Sequence, residues 1–549
     1  MLLLLGIIQL FGILQALGAR VEVGWDVGYL NISRDGYSTW LAVGVNGRQP
    51  IAPVYVDEGD TLLLNVRNSL DKPISLHAHG LFQRNTTYYD GVGMVTECGI
   101  PPGESFTYVI DTGGQTGTFW IHGHYGSEVA DGLRAPFIIR EKAPAVQYDE
   151  DVLITLEDWL QMPYDLMGAR AQQIRFDQLF SNYPTVLING IDGNKSQPIH
   201  FVPGKRYRLR IASMSVSYWF KFRLPGHKLE IVESDGIAIE PLAVDGLDMC
   251  PGQRYSVLVT AHDTDAFNFR FNVTFYADYV PKLADFNPRH YEIPLVYREG
   301  APTRRYAIVG DDKLVWQDEF AMVPRNRQPL LEPVNRRITV SKQEHTPYDG
   351  FGLPTYSLGD YAYTHPMVPS LITALTTGNW ANNSLAYGPQ TNTHVVEHME
   401  VVELMLVNPS GKDHSIHMHG YVFQVVELGP MGNASATQRT APKLKRAGQW
   451  PMRRDTVTFP AYSYLALRFL ADSPFVALVH CHAQQHKQRG MSFTLVVAPE
   501  LLQQTQRMPE KMLEFCRKLG VKTSGNAAGN SGLDLTGLPP ALPIEDNTF

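Results

Sequence analysis

The sequence predicts an all-β chain built from several sandwich or barrel domains, and three observations carry that expectation. Short alternating or apolar segments are bounded by Gly, Pro, Asn or Asp: "TLLLNVRN" (61–68), "SFTYVIDT" (105–112), "RYRLRIAS" (206–213), "RYSVLVTA" (254–261), "VVELMLVN" (401–408) and "YLALRFLA" (464–471). Their regular recurrence favours sandwiches and barrels. A chain of 549 residues also exceeds what one core can serve and points to about three or four domains.

The elements follow in order. Residues 1–18, "MLLLLGIIQLFGILQALG", form an apolar run ending in Ala16-Leu17-Gly18, a small-x-small cleavage pattern expected of a secretory signal. Sequons at Asn31, Asn85, Asn194, Asn272, Asn382 and Asn433 agree with that route. No later apolar run reaches bilayer length, so a soluble protein in the secretory pathway or outside the cell is expected. Composition shifts near 145 and in the Pro- and Arg-rich stretch 300–335 divide the rest into units over 20–145, 146–300 and 330–500, with a tail over 501–549. Helical patterning is sparse, and "PELLQQTQRMPEKMLEFCRKLG" (499–520) is its clearest candidate. A net charge of 47 − 55 = −8 without any basic block argues against nucleic acid as a partner. The four cysteines, Cys98, Cys250, Cys481 and Cys516, allow at most one or two disulfides, so packing must hold the cores.

An internal repeat organises the chain. "SLHAHGLFQ" (75–83) matches "SIHMHGYVFQ" (415–424), and "IHGHYGSEVADGL" (121–133) matches "VHCHAQQHKQRGM" (479–491). Each copy offers two His-x-His pairs. The second copy adds His414, Cys481, His486 and Met491 where the first holds Ile74, Gly123, Glu128 and Leu133. One set of ligand types is therefore peculiar to the C-terminal copy, while the paired histidines are shared.

The chemistry of those residue types gives each set a use. Two His, a Cys and a weaker Met form the ligand set of a blue-copper electron-transfer site, with His414, Cys481 and His486 equatorial and Met491 axial. On an extended strand, residues i and i+2 face one way and i+1 the other. His77/His79, His122/His124, His417/His419 and His480/His482 therefore each present two imidazoles to one side. Eight imidazoles suit a three-copper cluster with positions open to oxygen. Cys481 faces one site while its neighbours His480 and His482 face the other, a short covalent path for electrons. A lone His-x-His is ordinarily a structural pair, and zinc also takes His and Cys. Four pairs beside a His-Cys-His-Met set exceed both readings. The other eight histidines, at 200, 227, 262, 290, 345, 365, 394 and 398, lack such spacing and read as surface or hydrogen-bonded core residues.

With these residues in view, the chain resembles the multicopper oxidase family, which includes laccases, ascorbate oxidases and ferroxidases. The four motifs carry the resemblance through most of the mature chain. It implies three cupredoxin-like Greek-key β-barrel domains with a short C-terminal tail, the cluster lying between the first and third. It also implies four copper ions: one type 1, one type 2 and a type 3 pair. His77 and His417 match the type 2 ligands; His79, His122, His124, His419, His480 and His482 match the type 3 ligands. Cys481, His480 and His482 would carry electrons to the cluster, beside which Asp90 matches a family acid. Cys98 and Cys516 match a family disulfide. Within the family, "LFQRNTTYYDGVGMVTECGIPPG" (81–103), "VPSLITALTTGNWANNSLAYGP" (368–389), "PMRRDT" (451–456) and "GNAAGNSGLDLTGLP" (525–539) resemble the fungal iron-transport ferroxidase branch.

Departures from that branch shape the expected function. An acid that helps seat iron usually stands where this chain has Ser410, although Asp413 is adjacent to His414. Asp177 and Asp278 are the nearest counterparts of two further acids, and no membrane anchor precedes the end at Phe549. The usual aromatic of the first motif is Ala78, and the usual last His of the third is Tyr421. The acid that family members use to deliver protons, two residues after the second His of the fourth motif, is Gln484. The expectation is thus a secreted laccase-like oxidase coupling phenolic, polyketide-type aromatics in fungal pigment or secondary metabolism. A small phenol and O2 would be its partners. A ferroxidase using Asp413, Asp177 and Asp278 is the second expectation, and a copper-binding protein without turnover the third.

Overall fold

Alternation along the strands builds the sheets. In strand Phe269–Tyr276, Phe269, Phe271, Val273 and Phe275 are buried while Arg270, Asn272, Thr274 and Tyr276 are only half-buried, the period-two pattern of a sheet with one face on a core. The computed structural model describes residues 18–34, 36, 39–160, 162–166, 184–276, 289–307, 309–345, 354–431 and 442–541. The expected signal segment before Gly18, the sequon at Asn433, and Asp177 and Asp278 lie outside the described residues.

Among the described residues six sheets form three face-to-face pairs, so the all-β expectation holds. The first pair comprises a four-stranded sheet in the order Trp40–Val45, Arg20–Ile32, Thr61–Asn68, Ser105–Asp111 and a second in the order Val54–Asp57, Arg134–Arg140, Gly117–Gly123, Leu76–His79. The second and third pairs each combine a seven-stranded with a five-stranded sheet. Each pair encloses its own apolar core, centred on residues such as Tyr108 and Phe137, Phe220 and Phe271, and Phe423 and Phe493.

The sequence repeat is a repeat of strand register. Leu76–His79 pairs antiparallel with Gly117–Gly123 so that His77 stands opposite His122. In the third pair, His414–Met418 meets Phe475–Cys481 with His417 opposite His480. The register sets both faces at once, because a slip of one residue would turn every imidazole to the other side.

The tail differs from the single helix its periodicity suggests. It forms two helices, Pro499–Thr505 and Glu510–Lys518, because Pro509 cannot donate a backbone hydrogen bond and stands at the cap of the second. Met512 and Phe515 of the second helix pack into the first pair's core, and Cys516 is disulfide-bonded to Cys98. Cys250 is a buried free thiol. No helix among the described residues is long and apolar enough to cross a membrane.

The disulfide closes a span of 418 residues and clamps the tail onto the first sheet pair. Replacing Cys98 and Cys516 together by Ala is expected to destabilise the protein by about 2–4 kcal/mol. A lower Tm for the double variant, matched by reduction of the parent protein, is the measurement that checks it.

Candidate metal centre

Eight histidines converge between the first and third sheet pairs, and each is buried: His77, His79, His122, His124, His417, His419, His480 and His482. The rings of His79, His122 and His482 lie 5.1–5.9 Å apart between centroids. His480 Nε2 lies 3.1 Å from His419 Nε2 and 3.5 Å from His124 Nε2. The His77 and His417 centroids are 5.8 Å apart. Trp120 closes one wall, its ring 4.2 Å from that of His122 and 5.3 Å from that of His482.

Backbone carbonyls fix which nitrogen faces inward. His77 Nδ1–H donates to Asp90 O (2.8 Å), and His417 Nδ1–H makes the matching bond to Asp455 O (2.9 Å). His122 donates to Gly123 O and His480 to Cys481 O. Each such bond selects the tautomer that leaves Nε2 as a lone-pair donor, the usual way an outer partner orients a metal-ligating His.

A second group lies on the other face of strand Phe475–Cys481. Cys481 Sγ is 3.4 Å from His486 Nδ1 and 3.9 Å from His414 Nδ1, and those two nitrogens are 3.2 Å apart. Met491 is fully buried beside them. Its N–H donates to His486 O and its carbonyl accepts from Cys481 N–H, so backbone hydrogen bonds tie the three residues together. The first sheet pair has no such group: Ile74, Gly123, Glu128 and Leu133 occupy these registers and are buried.

Apart from Asp90, several residues at the cluster are not marked as site residues by the sequence. Asp90 was expected there, and its carboxylate reaches His419 Nδ1 (3.0 Å) and His77 Nδ1 (3.2 Å). Burial pushes its carboxyl up, but the His419 and His77 rings outweigh that and hold it below the ordinary carboxylate range. Asp455 is its counterpart in the repeat: it meets His79 Nε2 at 3.1 Å from the opposite side. Asp455 lies within "PMRRDT", a stretch marked by resemblance alone. Arg254, from the second sheet pair, donates to both Asp455 oxygens at 2.7 Å. Gly252 has φ +89°, and a Cβ there would come within 3.0 Å of His482 and 3.2 Å of His79. Only a glycine lets this backbone approach the rings so closely.

The donor set fits copper. Buried nitrogens His77 Nε2, His79 Nδ1, His122 Nε2, His417 Nε2 and both of His482 have no hydrogen-bond partner, a costly state unless a cation takes their lone pairs. Burial holds His79, His122, His124, His414, His417, His480 and His482 well below the ordinary imidazole value, so these rings are neutral and able to coordinate. Burial likewise pushes the Cys481 thiol up to about 12, so a thiolate there needs a cation beside it. Two imidazoles, a thiolate and a neighbouring thioether suit a copper that exchanges electrons.

The remaining expected residues fall around this frame. Ala78 and Tyr421 are buried in the cores, and the Tyr421 hydroxyl donates to Ser473 O. Gln484 is buried and donates to Gly126 O (2.8 Å). None of the other eight histidines joins a metal-binding group among the described residues; His227, for instance, bonds the Tyr297 hydroxyl.

Comparison with known proteins agrees with this geometry. Profiles described as "Multicopper oxidase" match residues 26–144, 150–287 and 363–501. The chain is 33% identical to the "Iron multicopper oxidase fer1" of Mycosarcoma maydis, over 96% of this chain and 88% of that protein. It is also 33% identical to the "Iron transport multicopper oxidase FET3" of Candida albicans, over 93% and 82%. Among solved structures, Fet3p, "a Multicopper Oxidase that Functions in Iron Import", superposes with a TM-score of 0.86 at 29% identity, covering 95% of this chain and 99% of that one. A mutant of the laccase from B. aclada gives 0.75 at 25% identity, covering 92% and 93%. The cupredoxin-like architecture is shared with both. Copper is therefore the metal of this centre, and the chain belongs to the multicopper oxidase family.

Proposed function

We propose that this chain is a laccase-like oxidase of the secretory pathway, which takes single electrons from an electron-rich phenol and reduces O2 to water. In this reading His414, Cys481 and His486 would hold the type 1 copper, with Met491 as the weaker thioether donor. His77 and His417 hold type 2, and His79, His122, His124, His419, His480 and His482 hold the type 3 pair. Bound there, copper supplies one-electron acceptance at the Cys481 site and oxygen reduction at the cluster. The chain supplies the rest: Cys481 links the two groups through its own backbone, and Asp90 sits where it can hold or pass a proton at His77 and His419.

The substrate reading rests on one observation, the charge beside His414 and His486. Glu344 lies close enough to act on His486, yet its carboxylate is gripped by Lys342 Nζ (2.7 Å) and Lys412 Nζ (2.6 Å). The Ser410 hydroxyl donates to Asn408 Oδ1, and Asp413 Oδ1 accepts from Ala461 N–H. Ferrous iron needs hard oxygen ligands at the point where it gives up its electron. Two ammonium groups around Glu344 oppose a dication, whereas an aromatic ring tolerates them.

Overall similarity favours a second reading, oxidation of Fe(II) to Fe(III). The relatives named above are an iron multicopper oxidase and an iron-transport multicopper oxidase, and the iron-import protein superposes better than the laccase. Oxygen uptake with each reductant separates the two. For the phenol reading, kcat/KM for an electron-rich phenol or naphthol exceeds that for Fe(II), and coupled dimers accumulate. Efficient iron oxidation without coupling of any aromatic would establish the ferroxidase instead.

Two variants probe the assignments. Cys481→Ser is expected to lose the intense thiolate-to-copper absorption and all substrate oxidation while most cluster copper stays, as read by optical spectra and metal analysis. A surviving blue band would remove Cys481 from the ligand set. Ser410→Asp is expected to improve kcat/KM for Fe(II) while leaving phenol oxidation nearly unchanged. An equal effect on both reductants would show that position 410 does not discriminate between them.

A further inference from the structure

Oxygen reduction consumes four protons with four electrons, and this chain has Gln484 where the family places a proton-delivering acid. An amide cannot take that role. The neighbourhood of Gln484 holds another acid. Gln484 Nε2 donates to Gly126 O, and the N–H of the same Gly126 donates to Glu128 Oε2 (2.9 Å). One peptide unit thus separates the side chain that lost the carboxyl from a carboxyl that the repeat gives no structural reason to expect. Glu128 is 1% exposed and occupies the register that His486 holds in the third sheet pair.

Its surroundings form a path. Lys487, on the helix that carries Gln484, lies close enough to act on Glu128 and on His122, His124, His419, His480 and His482. Toward solvent, Asp131 lies near Glu128, and the Ser127 hydroxyl bridges Asp131 Oδ2 (3.4 Å) and Asp165 Oδ1 (2.8 Å). Asp165 is exposed, its side chain 66% accessible and paired with Lys72. Lys72, Tyr29 and Tyr125 are further titratable groups facing Glu128.

We propose that Glu128 is the proton relay for oxygen reduction, passing protons inward at the Gly126–Gln484 contact and regaining them from solvent through Asp131, Ser127 and Asp165. Each cycle breaks the Glu128 O–H bond, sends the proton inward through water, and leaves a carboxylate that the outer chain reprotonates. The electrons come from the established oxidase reaction, so no other reductant is required. The inference does not depend on which substrate donates them.

The pH dependence follows with a definite sign. Burial pushes the Glu128 carboxyl above its ordinary value, and burial pushes Asp131 up to about 6. A raised donor stays protonated at mildly acidic pH, so reoxidation is fast there and slows as pH rises through that value.

The test is single-turnover reoxidation of the fully reduced, copper-loaded protein by O2 across pH, with infrared spectra of buried carboxylic acids recorded alongside. Glu128→Gln is expected to slow reoxidation about a hundredfold at acid pH, flatten its pH profile, and remove one protonated-carboxyl band. Adding Gln484→Glu to that variant should restore both rate and pH dependence. A parent-like profile in Glu128→Gln, or a slowing that is uniform in pH and unrescued by Gln484→Glu, would overturn the proposal. Should Glu128→Gln fail to load copper, Glu128→Asp decides. It must shift the pH midpoint of reoxidation, and an unshifted midpoint overturns the relay.

Discussion

Eight imidazoles buried at one seam are the constraint that the rest of the structure satisfies. Neutral rings packed this closely leave nitrogen lone pairs facing one another, which costs free energy until cations occupy the space between. The protein therefore has to hold the rings in place by other means. It does so with carbonyls: Asp90 O and Asp455 O orient His77 and His417, while Gly123 O and Cys481 O orient His122 and His480. These bonds come in matched pairs because the two sheet pairs share one strand register.

The seam is also locked by charge. Asp90 of the first sheet pair reaches His419 of the third, and Asp455 of the third reaches His79 of the first. The two acids differ in their second partner. Arg254 binds both oxygens of Asp455, and Asp235 in turn accepts from Arg454, making a buried group of two cations and two anions. Removing one member would leave an uncompensated buried charge, a loss of several kcal/mol. Among the described residues Asp90 has no such cation, and its carboxylate is met instead by the His77 and His419 rings. The second sheet pair, which supplies no imidazole to the cluster, thus contributes by fixing one half of it.

Much of this was legible in the sequence. His-x-His on a strand has a period-two consequence, so the direction in which Cys481 and its neighbours point follows from chain geometry alone. The all-β fold followed from alternation in segments such as "TLLLNVRN". Asp455, Arg254 and Gly252 were not legible as site residues, because their roles depend on contacts between distant parts of the chain. Arg254 and Asp455 are 201 residues apart. The break at Pro509 could have been read, since a proline inside a helical pattern ends the helix before it. The charge around His414 and His486 could not, because Lys342 reaches both rings, and Glu344 reaches His486, from a different strand.

The repeat explains why new chemistry could arise at Glu128. In the third sheet pair, His414, Cys481 and His486 bring ligand atoms close enough to share one ion, and Met491 is buried next to them in the chain turn. In the first pair the same registers hold Ile74, Gly123, Glu128 and Leu133, which need only fill space. Gly123 leaves room for the Glu128 Cβ, since a Cβ of its own would come within 2.8 Å of it. A buried carboxyl one peptide from Gln484 then costs desolvation free energy, partly offset by the Gly126 N–H and by Lys72 and Lys487 nearby. On the proposed assignments the two halves of the molecule divide the reaction between them: the third pair would bring electrons along Cys481, and the first would bring protons past Glu128.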